Sequence, residues 1–201
     1  MNFRAPPASP GMRVGLLGGS FNPAHEAHRA LSLLAWKRLG LDRVWWLVSP
    51  GNPLKENSAL PPVEARIAQA REVANSPYID VAAPEVAYRT RYTYDTLKRL
   101  LAEHRGTRFV WLMGADNLAR FHRWKRWQEI AALMPMAIIE RPGDEDAPLS
   151  SKAAHTLGGF RIDESDAPLL LSMQPPAWVY LHGLKSPLSS TSLRVKGQRQ
   201  A

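Results

Sequence analysis

Two short apolar runs, residues 13–17 (RVGLL) and Arg43–Val48 (RVWWLV), flank a stretch in which Ala30, Leu31, Leu34, Ala35 and Leu39 recur at helical spacing. Each run is too short for a helix and ends on chain-turning residues, Gly18-Gly19 after the first and Ser49-Pro50-Gly51-Asn52-Pro53 after the second. Gly40 supplies a helix stop between them. Strand, helix and strand in such close succession predict the βαβ unit of a parallel sheet.

The alternation continues along the chain. The pattern predicts a helix over 62–74, a strand over 78–82, a helix over 94–104, a strand over 108–113, a helix over 124–133 and a strand over 136–139. Residues 141–151 read as a loop, 152–176 carry no clear pattern, 177–181 read as a last strand and 190–196 as a short helix. The expectation is an α/β fold: a Rossmann-like doubly wound parallel sheet, in one domain over 12–201 with a short C-terminal helical segment. Residues 1–11 read as a loose, disordered tail. Ligands of such sheets sit beyond the carboxyl ends of the strands, so the loops after Leu17, Val48, Met113 and Ile139 are where chemistry is expected.

Charge and composition narrow the partners. The chain holds 26 Lys and Arg against 18 Asp and Glu, a formal balance of +8 that favours anionic partners. The cations are scattered rather than clustered, which argues for a phosphorylated small molecule over nucleic acid. No apolar run approaches the roughly 20 residues of a membrane span, and the first eleven residues lack the apolar core of a secretory signal. The absence of cysteine excludes disulfides and thiolate metal sites and fits a cytoplasmic protein.

Two segments carry candidate chemistry. The first reads Gly18-Gly19-Ser20-Phe21-Asn22-Pro23-Ala24-His25-Glu26-Ala27-His28. Paired glycines after a strand let backbone approach a ligand closely, and the following helix start offers free N–H groups to phosphate. His25 and His28, three apart on the first helical turn, lie on one side and suit hydrogen-bond donation to phosphate oxygens. A zinc site would require further ligands, which the isolated His104, His122, His155 and His182 do not supply. The second segment, Leu188-Ser189-Ser190-Thr191-Ser192-Leu193-Arg194, sets hydroxyls at a helix start with a guanidinium one turn later. Taken alone it reads first as an ordinary Ser/Thr helix cap.

In that order, the two segments resemble the signatures of the nucleotidyltransferase superfamily with the His-x-Gly-His motif, and more narrowly the bacterial nicotinate-nucleotide adenylyltransferases. Ala27 departs from the family's glycine. The resemblance extends to Pro50-Gly51-Asn52-Pro53-Leu54-Lys55, to Arg91-Tyr92-Thr93-Tyr94-Asp95-Thr96-Leu97, to Gly114-Ala115-Asp116-Asn117-Leu118 with Trp124 and Trp127 beyond it, and to Arg141-Pro142-Gly143. It implies an enzyme that transfers AMP from ATP to nicotinic acid mononucleotide in NAD biosynthesis. By resemblance His25, His28, Lys55 and Arg194 would be catalytic. Gly18, Gly19, Ser20, Phe21, Asp116, Ser190, Thr191 and Arg194 would hold ATP. Tyr92, Thr93, Trp124 and Arg141 would hold the nicotinate nucleotide, with Trp124 stacked on the pyridine ring and Trp127 packed in the core. Magnesium would arrive with ATP rather than in a dedicated protein cage. No nucleic-acid or membrane partner is implied, and homo-oligomerisation is left open. The competing readings are a sister enzyme using phosphopantetheine or the amide-form nucleotide as acceptor, and a non-catalytic nucleotide sensor.

Overall fold

The computed structural model describes residues 3–51, 60–140 and 149–183. Among them are strands β1 (Arg13–Gly19), β2 (Arg43–Val48), β3 (Ile79–Ala82), β4 (Arg108–Gly114), β5 (Met136–Ile139), β6 (Arg161–Ile162) and β7 (Trp178–Leu181). All pair in parallel in one sheet of order β3-β2-β1-β4-β5-β7-β6. From β1 the chain winds outward through β2 and β3, then crosses back to β4 on the other side of β1. That reversal places a crevice at the carboxyl ends of β1 and β4, where doubly wound sheets bind ligands.

Helices cover both faces, so the strands are largely apolar, with Arg13, Arg43 and Arg108 at the strand starts and Asp80 within β3. One face carries α1 (Glu26–Leu39) and α2 (Val63–Ala74), with a 3₁₀ stretch at Glu164–Ser172. It buries Leu31, Ala35, Trp46, Ile67 and Leu170. The other face carries α3 (Pro84–Tyr88), α4 (Thr93–Glu103), α5 (Ala115–Phe121), α6 (Trp127–Leu133) and α7 (Lys152–Thr156), over Leu16, Trp45, Leu97, Phe121 and Trp178. Fully buried side chains such as Leu31 and Leu97, both at 0% exposure, each stabilise the fold by roughly 1.5–3 kcal/mol. Helix α1 ends at Gly40, whose φ of 61° lets its N–H return to the Trp36 carbonyl.

Three expectations need revision. The helix expected over 124–133 begins only at Trp127, as α6, and an unexpected helix, α5, precedes it; in the turn between them Arg126 takes a left-handed φ of 59°. Arg126 holds that conformation by pairing with Glu129 and by lying 3.7 Å over the Tyr94 ring. Strand β1 runs through Gly18 and Gly19, paired with Leu47 and Val48, so the turn begins at Ser20 instead of Gly18. Residues 3–11, the described part of the tail expected to be loose, lie against the fold. The Phe3 carbonyl accepts from the Ala83 N–H, the Gly11 N–H donates to Gly106, and Phe3, Ala5, Ala8 and Met12 pack against the two cores. The expected final helix over 190–196 lies outside the described residues.

Candidate active site

At the end of β1 packing demands glycine at Gly18 and leaves little room for a side chain at Gly19. A Cβ on Gly18 would come within 2.5 Å of the Trp111 ring, and one on Gly19 within 3.3 Å of Phe21. Past the glycines, Phe21 adopts a φ of 45°, a left-handed conformation that costs a bulky residue free energy. Its ring offsets that cost. It is 1% exposed, stacks on Trp46 with centroids 4.9 Å apart, and meets His28 at 4.8 Å.

The two candidate histidines are buried within this cluster. His25 is the N-cap residue of α1, with extended backbone, and His28 follows in its first turn. Their rings lie 3.8 Å apart, centroid to centroid. The backbone N–H of His25 donates to His28 Nδ1 at 3.3 Å. With Nδ1 accepting, the ring proton of a neutral His28 resides on Nε2, leaving Nε2–H as a donor. A second tier fixes the helix turn beneath: Trp46 Nε1 donates to Ser32 Oγ at 2.7 Å, and Ser32 Oγ donates to the His28 carbonyl at 2.8 Å. Ala27 is buried at 2% exposure, so its methyl group belongs to the packed side of α1.

Across the crevice, β4 delivers Asp116 to the first turn of α5, where it is exposed. Trp124 sits in the turn between α5 and α6, edge-on to Trp111 at 6.3 Å and to Phe121 at 5.5 Å. Trp127 packs edge-on against Phe121 at 5.7 Å and is partly buried at the margin of the core, where it was expected inside. Lys125 places its ammonium 4.2 Å from the centre of the Tyr92 ring, and Arg91 flanks the same ring at 5.8 Å. Tyr92 is the N-cap of α4 and Thr93 its first helical residue, so the helix starts one position earlier than the 94–104 expected from the sequence. The Thr96 hydroxyl, at 3.3 Å, donates to the Tyr92 carbonyl, and a 2.6 Å hydrogen bond joins Thr90 and Thr96. A continuous line of contacts thus runs from Gly18 through Trp111 to Trp124, and through neighbouring Lys125 to Tyr92.

A family model described as cytidylyltransferase-like matches residues 16–196. A Bradyrhizobium protein named probable nicotinate-nucleotide adenylyltransferase is 56% identical over 183 residues, spanning 91% of this chain and 95% of that one. A Methylorubrum extorquens protein of the same name is 52% identical over 185 residues, 92% of this chain and 100% of its own. The chain belongs to the nicotinate-nucleotide adenylyltransferase family. In fold it is similar to a Plasmodium falciparum nicotinic acid mononucleotide adenylyltransferase complexed with NaAD. That likeness has a TM-score of 0.63 and 22% identity, covering 92% of this chain and 83% of that one.

For a member of this family, the structure brings together Gly18, Gly19, Ser20, Phe21, His25 and His28 on one bank, and Tyr92, Thr93 and Trp124 on the other. Lys55, Arg141, Ser190, Thr191 and Arg194 lie outside the described residues. The sequence reading missed Arg66. It was noted only as one of the scattered cations, yet it is 2% exposed and donates to backbone carbonyls at the ends of β1 and β2. Its position on the inward face of α2, beside Ile67 and Ala70, was the available signal. Burial pushes the Arg66 guanidinium below its ordinary value, with the nearby Glu64 charge opposing.

Proposed function

We propose that the protein joins the AMP of ATP to the 5′-phosphate of nicotinic acid mononucleotide, giving deamido-NAD and pyrophosphate. The observation that carries this reading is the contact line from Gly18 through Trp111 to Trp124 and Tyr92, which sets a phosphate-type turn beside an aromatic, cation-flanked acceptor bank. Membership of the nicotinate-nucleotide adenylyltransferase family supports the choice of acceptor.

A 5′-phosphate oxygen of the acceptor attacks the α-phosphorus of ATP. A new P–O bond forms, the bond to the β-phosphate oxygen breaks, and the electron pair leaves with pyrophosphate. The nucleophile is already ionised near neutral pH, so the protein need not remove a proton. Its task is positioning and charge neutralisation. His28 donates through Nε2–H to phosphate oxygens, with His25 beside it. Ser20, Phe21 and the start of α1 offer amide and dipole support. Lys55, Ser190, Thr191 and Arg194 would add cations and hydroxyls along the β- and γ-phosphates. Tyr92, Thr93, Trp124 and Arg141 would hold the acceptor, and the flat indole of Trp124 suits the pyridine ring. Magnesium would arrive bound to the nucleotide substrate, and the exposed Asp116 in the first turn of α5 would be a carboxylate for it. We place the protein in the cytoplasm, with no nucleic-acid or membrane partner; among the described residues no helix is long and apolar enough to cross a membrane.

The test is pyrophosphate release with magnesium and ATP, offering nicotinic acid mononucleotide, its amide and phosphopantetheine in parallel. Turnover with the acid nucleotide in clear excess over the others is expected. Phosphopantetheine as the preferred acceptor would overturn the proposal.

A further inference from the structure

Arg66 projects from α2 into the interior, and among the described residues no carboxylate forms a salt bridge with it. Main-chain oxygens surround its guanidinium instead. Nη1 donates to the Ser20 carbonyl at 2.6 Å and to the Ser49 carbonyl at 2.7 Å; Nη2 donates to Pro50 at 3.2 Å, and Nε to Pro61 at 3.0 Å. A buried charge is costly unless its donors are satisfied, and among the described residues loop carbonyls satisfy the planar fork.

The carbonyls it gathers come from the turns after β1 and β2, at the crevice. In a trans peptide the C=O and the following N–H point to opposite sides. The Ser20–Phe21 and Pro50–Gly51 peptides are trans. Drawing the Ser20 and Pro50 oxygens onto Arg66 therefore turns the Phe21 and Gly51 amides away from it. An anion site gains twice from such an arrangement, because repelling oxygens are withdrawn and donors are exposed.

We infer that Arg66 is a positioning residue for the ATP phosphates: it withdraws the carbonyls of Ser20, Ser49 and Pro50 from the crevice and turns the Phe21 and Gly51 amides toward the triphosphate. This rests on reading the turn at 18–28 as the ATP site. Arg66 touches no substrate itself. Lysine at this position keeps the charge but cannot span four carbonyls with one planar fork. The released oxygens would then face the phosphates.

Steady-state kinetics of Arg66→Lys, with its fold checked by circular dichroism, tests the inference. The expected result is a KM for ATP raised about tenfold or more, the scale of losing hydrogen bonds to a charged donor, with the KM for nicotinic acid mononucleotide changed less than about twofold. A folded lysine variant with wild-type constants, or with both KM values raised equally, overturns it. Should the variant not fold, the wild-type protein decides. On adding α,β-methylene ATP to ¹⁵N-labelled enzyme, the Phe21 and Gly51 amide resonances shift if the inference holds, and their silence removes it. Wild-type enzyme without ATP turnover would take down the site reading and this inference together, whereas wild-type turnover beside an unaffected lysine variant removes the inference alone.

Discussion

On the β1–α1 bank of the crevice, the contacts that place His28 among the described residues come from the packed interior. Phe21 and Trp46 press on its ring, the His25 amide holds Nδ1, and the Ser32–Trp46 pair fixes the turn that carries it. On the opposite bank, Tyr92 and Trp124 are placed by loops at the surface, through cations lying over rings and the left-handed Arg126. The difference matches the demands of the reaction. Charge on a phosphorus in flight must meet donors fixed to within fractions of an ångström, and close-packed interiors supply that rigidity. Recognition of a flat acceptor ring tolerates looser, partly exposed contacts.

If the comparison holds, the largest effect belongs to the interior bank. His28→Ala should lower kcat at least about a hundredfold, the scale of removing one oxyanion-type donor, while the KM for the acceptor stays near wild type. Steady-state assays of pyrophosphate release measure both. A kcat within a few-fold of wild type would remove His28 from the mechanism and leave its buried setting as packing alone.

The surface bank also carries a partly buried carboxylate, which allows a sharper test. Glu85 lies in α3, and its carbonyl accepts the Thr90 N–H on the way to Tyr92. Burial pushes its carboxyl from the ordinary 4.5 up to about 7. The folded pKa exceeds the unfolded one, so the folded state keeps a proton that the unfolded chain loses between about pH 4.5 and 7. Stability should be full below that window, fall as pH rises through it, and level off above. Glu85→Gln removes the ionisation. Urea denaturation should find the variant more stable than wild type by about 1–2 kcal/mol at pH 8, with no gap near pH 4. Equal stability at both pH values would show that water reaches the carboxyl and that the acceptor bank is exposed throughout.

The same contrast governs what the sequence disclosed. The β1–α1–β2 unit was legible because apolar runs, Gly40 and the Pro/Gly loop after Val48 all signal the same elements. The break between α5 and α6 was not, since Arg126 reaches its left-handed conformation through tertiary contacts with Tyr94 and Glu129, without the usual glycine. Residues 152–176 resisted reading because they form short 3₁₀ stretches and a two-residue strand, too brief for any periodicity to register. Gly18 and Gly19 were identified as site residues, but the reason the structure adds, the Trp111 and Phe21 rings above them, depends on strands distant in sequence. Arg66 was passed over because helical spacing shows which face it occupies and cannot show that backbone oxygens wait there.

The smallest expected effect tests the outer bank directly. Trp124 is partly buried against Trp111 and Phe121, with its remaining surface free to meet a ring. Stacking of that kind contributes about 0.5–1.5 kcal/mol beyond area burial. Trp124→Ala should therefore raise the KM for nicotinic acid mononucleotide by about threefold to tenfold. The KM for ATP should move less, because among the described residues the contact line from Trp124 to the Gly18 turn passes through Trp111. Trp124→Phe keeps a flat face and should recover most of the loss, which a purely structural role in the α5–α6 turn would not predict if both variants fold equally well. An ATP KM that rises in step with the acceptor KM would mean that Trp111 transmits the change to Gly18, and that the two banks act as one packed unit.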